Sequence, residues 1–169
     1  VKCMGDMVVG LAGLGNIGIE LAVRLKALGV SLIAFDPYAD KTRLQRNGLG
    51  DIKLLPSLET LFEQADMISM HLRLTPENTG IVNADLFNRM KPSAYFVNTA
   101  RGGLVNQQHL IEALRSGRIA GAGLDVYESE PPPAPSGVEG MANGALTPHI
   151  AGTTPDALPK SPLLLMREI

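Results

Sequence analysis

Tryptophan is absent from this 169-residue sequence, aromatic residues make up only 4% of it, and there is one cysteine, Cys3. A lone cysteine excludes an internal disulfide, which is consistent with a reducing compartment. The sequence has no apolar run near the roughly 20 residues that span a bilayer, so we expect no membrane partner and a cytoplasmic location. The formal net charge of −2 gives no broad basic surface, and we therefore expect no nucleic-acid partner.

The remaining composition is that of a folded domain of ordinary size. Hydrophobic residues make up 45% of the chain and charged residues 19%, which is enough for a sizeable core. Short apolar runs alternate with amphipathic segments, and this alternation predicts an α/β fold, a doubly wound parallel sheet in a single domain. The predicted strands are 7–12, 31–35, 52–55, 67–71, 95–98, 121–126 and 145–147. The predicted helices are 17–28, 57–64, 83–90 and 106–116, and Ser57, Asn83 and Asn106 are the predicted caps of the last three.

Two details of this pattern can be checked in a structure. In the first predicted helix, the spacing places Ile17, Leu21, Leu25 and Leu28 on one face, which we expect to be buried. The proline-rich segment 130–144 predicts a loop. The segment 157–169 is apolar enough for a helix, but Pro159 and Pro162 interrupt it.

The first predicted strand runs into a glycine-rich turn, Gly-Leu-Gly-Asn-Ile-Gly (13–18), and the second strand is followed by Asp36. A strand, such a turn, a helix and a second strand ending in a carboxylate form the dinucleotide-binding fingerprint of a Rossmann fold. Gly13 allows a tight turn, Gly15 leaves room for a pyrophosphate at the helix start, and Gly18 lets the helix pack on the strand. Asp36 can accept both hydroxyls of an adenosine ribose and would repel a 2′-phosphate, which favours NAD over NADP. The flanking strands and the carboxylate disfavour the alternative, a turn without a ligand.

Polar residues that follow the predicted strands form a second constellation. Ligands of open α/β sheets bind beyond the carboxyl ends of the strands, where Arg101, Glu130 and His149 are expected to converge. Hydride transfer to a ketone requires a proton donor, and histidine suits near-neutral pH. A neighbouring carboxylate would favour the imidazolium, and an arginine can bind a substrate carboxylate and polarise the carbonyl. Spacing alone leaves open a surface arginine, a solvated loop glutamate and a structural histidine.

Three further polar residues have simpler interpretations. We interpret His71, at the end of a buried strand, as a residue that bonds the backbone, and His109, in the first turn of a helix, as an exposed one. Asp125 ends an apolar strand, where a carboxylate is costly unless it is paired or faces a ligand. We favour the ligand-facing role for this carboxylate.

Taken together, five stretches make the chain resemble the NAD-binding domain of the D-isomer-specific 2-hydroxyacid dehydrogenases. The stretches are Gly-Leu-Gly-Asn-Ile-Gly (13–18), His-Leu-Arg-Leu-Thr-Pro-Glu-Asn-Thr-Gly (71–80), Asn-Thr-Ala-Arg-Gly-Gly-Leu-Val-Asn (98–106), Gly-Leu-Asp-Val-Tyr-Glu-Ser-Glu-Pro (123–131) and Thr-Pro-His-Ile-Ala-Gly-Thr-Thr (147–154). Their number and their order make the resemblance specific over residues 5–154. Arg73 departs from the pattern, because many relatives carry a proline there.

The resemblance implies a role for each candidate residue. Arg101 would bind the substrate, Glu130 would hydrogen-bond the histidine, and His149 would be the general acid and base. Cofactor contacts would come from Asn16 and Ile17 at the pyrophosphate, Asp36 at the adenosine ribose, Leu72 near the adenine, Thr99 and Ala100 on the nicotinamide side, Asp125 at the carboxamide or its ribose, and the backbone of Gly152.

The resemblance also implies an organisation and an activity. Family members have a second, substrate-binding domain built from both chain ends. Residues 1–155 would therefore be the NAD-binding Rossmann domain, and residues 156–169 a segment near the interdomain hinge. The implied protein is a homodimeric oxidoreductase that uses NAD on a small 2-hydroxy or 2-keto acid, and the isolated domain would be inactive. An NAD(H)-binding module without turnover, acting in redox sensing or interaction, is the alternative.

Overall fold

A computed structural model of the chain describes residues 3–132, 137–138 and 140–153. Its strands are β1 (Val8–Ala12), β2 (Ser31–Phe35), β3 (Lys53–Leu54), β4 (Met67–Met70), β5 (Tyr95–Asn98), β6 (Gly121–Leu124) and β7 (Gly144–Leu146). Its α-helices are α1 (Asn16–Ala27), α2 (Lys41–Arg46), α3 (Leu58–Gln64), α4 (Ala84–Arg89) and α5 (Gln107–Arg115), with short 3₁₀ helices at Met4–Asp6, Pro76–Asn78 and Gly102–Leu104. The segment 156–169, the domain boundary at residue 155, and Pro159 and Pro162 lie outside the described residues.

The seven strands of the described residues belong to one parallel sheet in the order β3-β2-β1-β4-β5-β6-β7. This confirms the predicted α/β sheet. The order reverses between β1 and β4, because the chain leaves β1 towards one edge and later returns beside it to build the other half. A reversal of this kind opens a crevice beyond the carboxyl ends of the two central strands, which is where such sheets bind ligands.

Helices cover both faces of the sheet. Neighbouring residues of β1 separate into two apolar clusters: Leu11 packs with residues of α1 and α2, whereas Ala12 packs with residues of α3, α4 and α5. Because successive strand residues point to opposite faces, the clusters are the two sides of a doubly wound fold. In the described part of the chain, no helix is long and apolar enough to cross a membrane.

Polar side chains at the predicted caps start three of the helices. Ser57 Oγ accepts the N–H of Thr60, and the amide oxygens of Asn83 and Asn106 accept N–H groups at the starts of α4 and α5. These bonds satisfy donors that a helix leaves without acceptors in its first turn. The caps were predicted; α2 was not, although Asp40 caps it in the same way.

The predicted buried face of the first helix is wrong at both of its ends. Ile17 is 69% exposed and Leu28 62% exposed, whereas Ile19 and Ala22 are buried. Leu21 and Leu25 pack partly against the core, as expected. The difference arises because α1 meets the core through Gly18, Ile19 and Ala22, a face rotated around the helix from the predicted one.

Candidate active site

The glycine-rich turn joins β1 to α1, and its three glycines serve different purposes. Gly13 has φ +103°, and a Cβ there would lie 2.7 Å from the carbonyl carbon of His71. A Cβ on Gly18 would lie 2.2 Å from the carbonyl oxygen of Gly13. Gly15 is different, since no atom of the described residues lies within 4 Å of its Cβ position and its φ of −71° suits any residue. Two glycines are therefore required by the fold, while the third keeps a space open in front of the α1 amides.

Asp36 braces this turn from the end of β2. Its carboxylate accepts the N–H of Leu14 at 2.7 Å and the N–H of Tyr38 at 2.8 Å, through different oxygens. An ionised carboxylate has about four acceptor positions, so each oxygen keeps capacity for a further donor such as a ribose hydroxyl. The bond to Leu14 is a structural role that the sequence pattern did not reveal.

Two cavities lie along the carboxyl edge of the sheet. The larger, of about 700 Å³, is bounded by the glycine turn, the end of β2 and the segment after β4; its walls include Gly13, Gly15, Asp36, Tyr38, His71, Leu72, Arg73, Thr75 and Glu77. The smaller, of about 440 Å³, is lined by Ile17, His71, Leu72, Arg73, Leu74, Thr99, Ala100 and Arg101. They share His71, Leu72 and Arg73, and together they form one groove across the point where the strand order reverses.

The wall shared by the two cavities begins with His71, whose backbone N–H donates to the carbonyl of Ala12 at 2.7 Å. Its ring Nε2 lies 2.9 Å from Ser69 Oγ. Burial lowers the pKa of His71, so the imidazole is neutral at neutral pH. These bonds agree with the interpretation of His71 as a residue that ties β4 to the backbone of β1.

Arg101 is held at the groove by a turn that Asn98 organises. Asn98 is 1% exposed, and its side chain accepts the N–H of Ala100 and donates to the carbonyl of Arg101, both at 3.0 Å. The following Gly102 packs so closely on the 127–128 backbone that a Cβ would lie 1.8 Å from the carbonyl oxygen of Tyr127. The loop that carries Arg101 therefore rests on the loop that leads to Glu130.

Glu130 and His149 are in direct contact. Glu130 Oε2 lies 2.6 Å from His149 Nδ1, and Oε1 accepts the N–H of Tyr127 at 3.0 Å. The Tyr127 N–H and the His149 hydrogen bond hold the pKa of Glu130 below its ordinary value, with the charges of His149 and Arg101 adding to the effect. Both side chains remain partly exposed, at 49% for His149 and 35% for Glu130. Since Nδ1 is engaged, Nε2 is the ring atom that can exchange a proton with a substrate.

A buried carboxylate holds the backbone around this histidine. Asp125 is 3% exposed; its Oδ1 accepts Thr147 Oγ1 at 2.5 Å and the N–H of Ile150 at 2.9 Å, and its Oδ2 accepts the N–H of Ala151 at 2.9 Å. Burial opposes ionisation, but these bonds and the nearby His149 leave the pKa of Asp125 lowered. His149 itself has φ +56°, an unfavourable conformation for a residue with a side chain.

This geometry corrects the reasoning applied to Asp125. We favoured a ligand as the partner that offsets its burial, whereas the structure satisfies the carboxylate within the chain, through the residues on either side of His149. Its contact with a cofactor stays a prediction. A second correction concerns His109, which is half-buried and accepts the N–H of Ala84 at 3.2 Å through Nδ1 instead of facing solvent.

The structure brings most of the predicted cofactor residues to the groove. Gly13, Gly15, Ile17, Asp36, Leu72, Thr99 and Ala100 line one cavity or the other. Gly18 lies under the turn, and the side chain of Asn16 accepts a hydrogen bond from Arg43 on α2. Gly152 is exposed just beyond the histidine loop. Among the described residues, no cluster of His, Cys, Asp and Glu side chains is placed to hold a metal ion. The individual functional roles stay predictions.

Sequence reasoning missed Asn98 and Gly102 as residues that position Arg101. The signal for Asn98 was present, because an amide at the end of a buried apolar strand needs hydrogen-bond partners. The requirement for glycine at position 102 comes from a contact with residue 127, which is distant in sequence, so no local pattern could reveal it.

The comparisons with known proteins agree with this geometry. The family profile "D-isomer specific 2-hydroxyacid dehydrogenase, NAD binding domain" matches residues 2–151. D-3-phosphoglycerate dehydrogenase of Archaeoglobus fulgidus is 40% identical over 148 residues, which are 88% of this chain and 27% of that protein. Hydroxypyruvate reductase of Thermotoga maritima is 37% identical over 163 residues, 95% of this chain and 51% of that protein.

Solved structures give the same result. The NAD complex of a D-isomer specific 2-hydroxyacid dehydrogenase from Lactobacillus delbrueckii ssp. bulgaricus superposes with a TM-score of 0.87 at 29% identity, over 98% of this chain and 52% of that one. This chain thus spans between about a quarter and a half of the length of the relatives it matches. The chain belongs to the D-isomer-specific 2-hydroxyacid dehydrogenase family and corresponds to its NAD-binding domain.

Proposed function

We propose that the chain binds NAD(H) along the carboxyl edge of its sheet and supplies Arg101, Glu130 and His149 to an enzyme that interconverts a D-2-hydroxy acid and its 2-keto acid. The observation that carries the proposal is the 2.6 Å contact between His149 Nδ1 and Glu130 Oε2. It lies at the sheet edge where Arg101 lines the smaller cavity. The similar phosphoglycerate dehydrogenase and hydroxypyruvate reductase support a reaction of this class.

The residues of the groove fit a dinucleotide. Packing within the chain does not require a glycine at position 15, so the open space in front of α1 is available to a pyrophosphate. Asp36 keeps acceptor positions for ribose hydroxyls at the other end of the larger cavity. A carboxylate there would repel a 2′-phosphate, which supports NAD in preference to NADP.

The chain's own residues then account for proton transfer and substrate orientation. When bound, NAD(H) supplies a hydride to C2 of the substrate or accepts one from it. During reduction His149 Nε2 donates a proton to the carbonyl oxygen, and during oxidation it takes the proton from the hydroxyl. Glu130 accepts the Nδ1–H and holds the ring so that Nε2 is left for the substrate. Arg101 binds the substrate carboxylate with two hydrogen bonds and orients the carbonyl.

A second candidate function is a module that binds NAD(H) without turnover. On this hypothesis the groove binds cofactor, but the substrate contacts of a complete enzyme are not supplied. Homodimer formation, which the family resemblance implies, and a cytoplasmic location, which the composition suggests, stay predictions. Turnover of NADH with a panel of 2-keto acids distinguishes the two candidates when it is measured for the chain alone and for the full product of its gene. If neither sample shows activity, the result supports the binding module.

His149→Gln in the full gene product tests the acid–base assignment. Loss of a positioned general acid lowers turnover by about 10²- to 10⁴-fold, while the dissociation constant of NADH changes less than about twofold, because His149 lies outside both cavities. His109→Gln is the matched control, since the glutamine oxygen can still accept the Ala84 N–H. Weak NADH binding combined with normal turnover per bound cofactor would contradict the assignment.

A further inference from the structure

Arg73 occupies the junction of the two cavities. It follows β4 at the point where the strand order reverses, and it lines both the larger and the smaller cavity. Gly13 and Gly15 line the larger cavity as well. Arg73, in the segment that follows β4, therefore lines the same cavity as the glycine turn that follows β1.

The side chain of Arg73 is free to bind a ligand. The residue is exposed, and its bond within the chain is made by the backbone: its carbonyl accepts Asn78 Nδ2 at 2.8 Å. Among the described residues, the ion pairs within 4.0 Å do not include Arg73. Glu77 lines the same cavity, but its pKa is lowered by hydrogen bonds from Thr75 and from its own backbone N–H, and not by Arg73.

We propose that Arg73 binds the diphosphate of the dinucleotide, opposite the glycine turn; this inference rests on the proposed function. The diphosphate joins the two halves of NAD(H), and Arg73 stands where the two halves of the groove meet. A guanidinium can donate two parallel hydrogen bonds to phosphate oxygens, and it is always charged. A substrate carboxylate at Arg101 would touch the smaller cavity alone, and an adenosine ribose bonded to Asp36 would occupy the larger one.

Binding of three ligands that share an adenosine but differ in whether they carry the diphosphate tests the proposal. NADH and ADP-ribose carry the diphosphate, whereas adenosine does not, and titration calorimetry or ligand-observed NMR gives a dissociation constant for each with the 169-residue chain. Arg73→Met keeps much of the aliphatic stem and removes the charge, and Arg73→Lys keeps the charge. Arg46→Met is the control, because Arg46 is an exposed arginine of α2 that lines neither cavity.

We expect Arg73→Met to raise the dissociation constants of NADH and ADP-ribose about tenfold, because hydrogen bonds to charged groups are the strong ones. The dissociation constant of adenosine should change by less than about twofold. Arg73→Lys recovers part of the loss, and Arg46→Met changes none of the constants. Equal weakening of adenosine and ADP-ribose overturns the proposal, as does unchanged binding of all three. If the wild-type chain binds none of the three ligands, both the proposed function and this inference are overturned. If the wild-type chain binds them and Arg73→Met binds them equally well, this inference alone is overturned.

Discussion

Asp125→Asn is the substitution that most directly tests how the candidate acid–base residue is held. The carboxylate of Asp125 is 3% exposed and accepts three hydrogen bonds from the segment that carries His149. Asparagine has nearly the same shape but one oxygen, so its amide nitrogen must face at least one of these donors. The least costly orientation keeps the bonds to Thr147 and Ile150 and places an N–H₂ group against the N–H of Ala151.

The magnitude follows from the bonds that this orientation loses. A hydrogen bond to a charged group contributes about 1.5–3 kcal/mol, and a donor without an acceptor costs about 1–3 kcal/mol. Exposed Ala151 can recover part of this from water, so we expect a loss of about 2–4 kcal/mol. The φ of +56° at His149 costs a further amount, about 1–3 kcal/mol, which the remaining bonds must offset. The loop should therefore open locally before the sheet unfolds.

Amide hydrogen exchange followed by NMR measures this opening. The N–H groups of Ile150 and Ala151 should lose protection by at least about 30-fold, the factor that corresponds to 2 kcal/mol. Amides of the central strand β4 should keep most of their protection. Thr147→Val is the control, because it removes one hydroxyl donor and leaves both backbone bonds to Asp125. Unchanged protection at positions 150 and 151 in Asp125→Asn would refute the reasoning.

The lowered pKa of Asp125 fixes the sign of a pH effect on the same loop. A carboxyl whose pKa is lower in the folded state stabilises that state above its unfolded pKa of about 3.9 and loses this contribution as pH falls through its folded value. The wild-type chain and Asp125→Asn should therefore differ most at neutral pH and converge below about pH 4. Amide proton shifts of residues 150 and 151 report the convergence, and a difference that grows on acidification would contradict the assignment.

Two further substitutions test the groove. Gly102→Ala should lower stability by about 3 kcal/mol and the melting temperature by about 6–12 °C, because two stretches of backbone must separate. Gly15→Ala should leave the melting temperature unchanged and weaken the binding of NADH. Equal melting temperatures for the two variants would contradict the contact between Gly102 and Tyr127. Asp36→Asn should reduce the preference for NADH over NADPH, measured as the ratio of their dissociation constants, by about tenfold, because a negative charge that repels the 2′-phosphate is removed. A wild-type preference for NADPH would contradict this role of the carboxylate.

Much of the fold was predictable because the sheet is parallel and covered on both faces. Strands buried on both sides read as short apolar runs, and the caps Ser57, Asn83 and Asn106 mark where helices begin. Helix α2 was missed because it is six residues long and buries one residue, Leu44, which leaves no apolar periodicity to detect. The buried face of α1 was misjudged because the spacing of apolar residues does not show how a helix is rotated against the sheet on which it packs.

The candidate site divides in the same way. Local sequence patterns identify functional residues whose role can be inferred from nearby positions in the sequence, such as the glycine turn and the carboxylate after β2. They cannot identify partners that fold topology brings together, such as Asp36 with the Leu14 N–H or Asp125 with the backbone beyond His149. Each of these partners is a buried or half-buried polar group at the end of a strand, so unsatisfied hydrogen-bonding capacity is the signal that sequence reasoning could have pursued further.

These internal contacts bear on what a second domain needs to contribute to the proposed reaction. Glu130 and His149 meet through hydrogen bonds and close packing within this chain, and Arg101 is held by Asn98 at the end of β5. The acid–base pair is therefore assembled before any domain closes over it. Closure would be left to exclude water and to bring the substrate carbon to the nicotinamide. If the chain alone proves inactive, missing substrate contacts would account for the result, because the candidate acid–base residues are already held together within this fold.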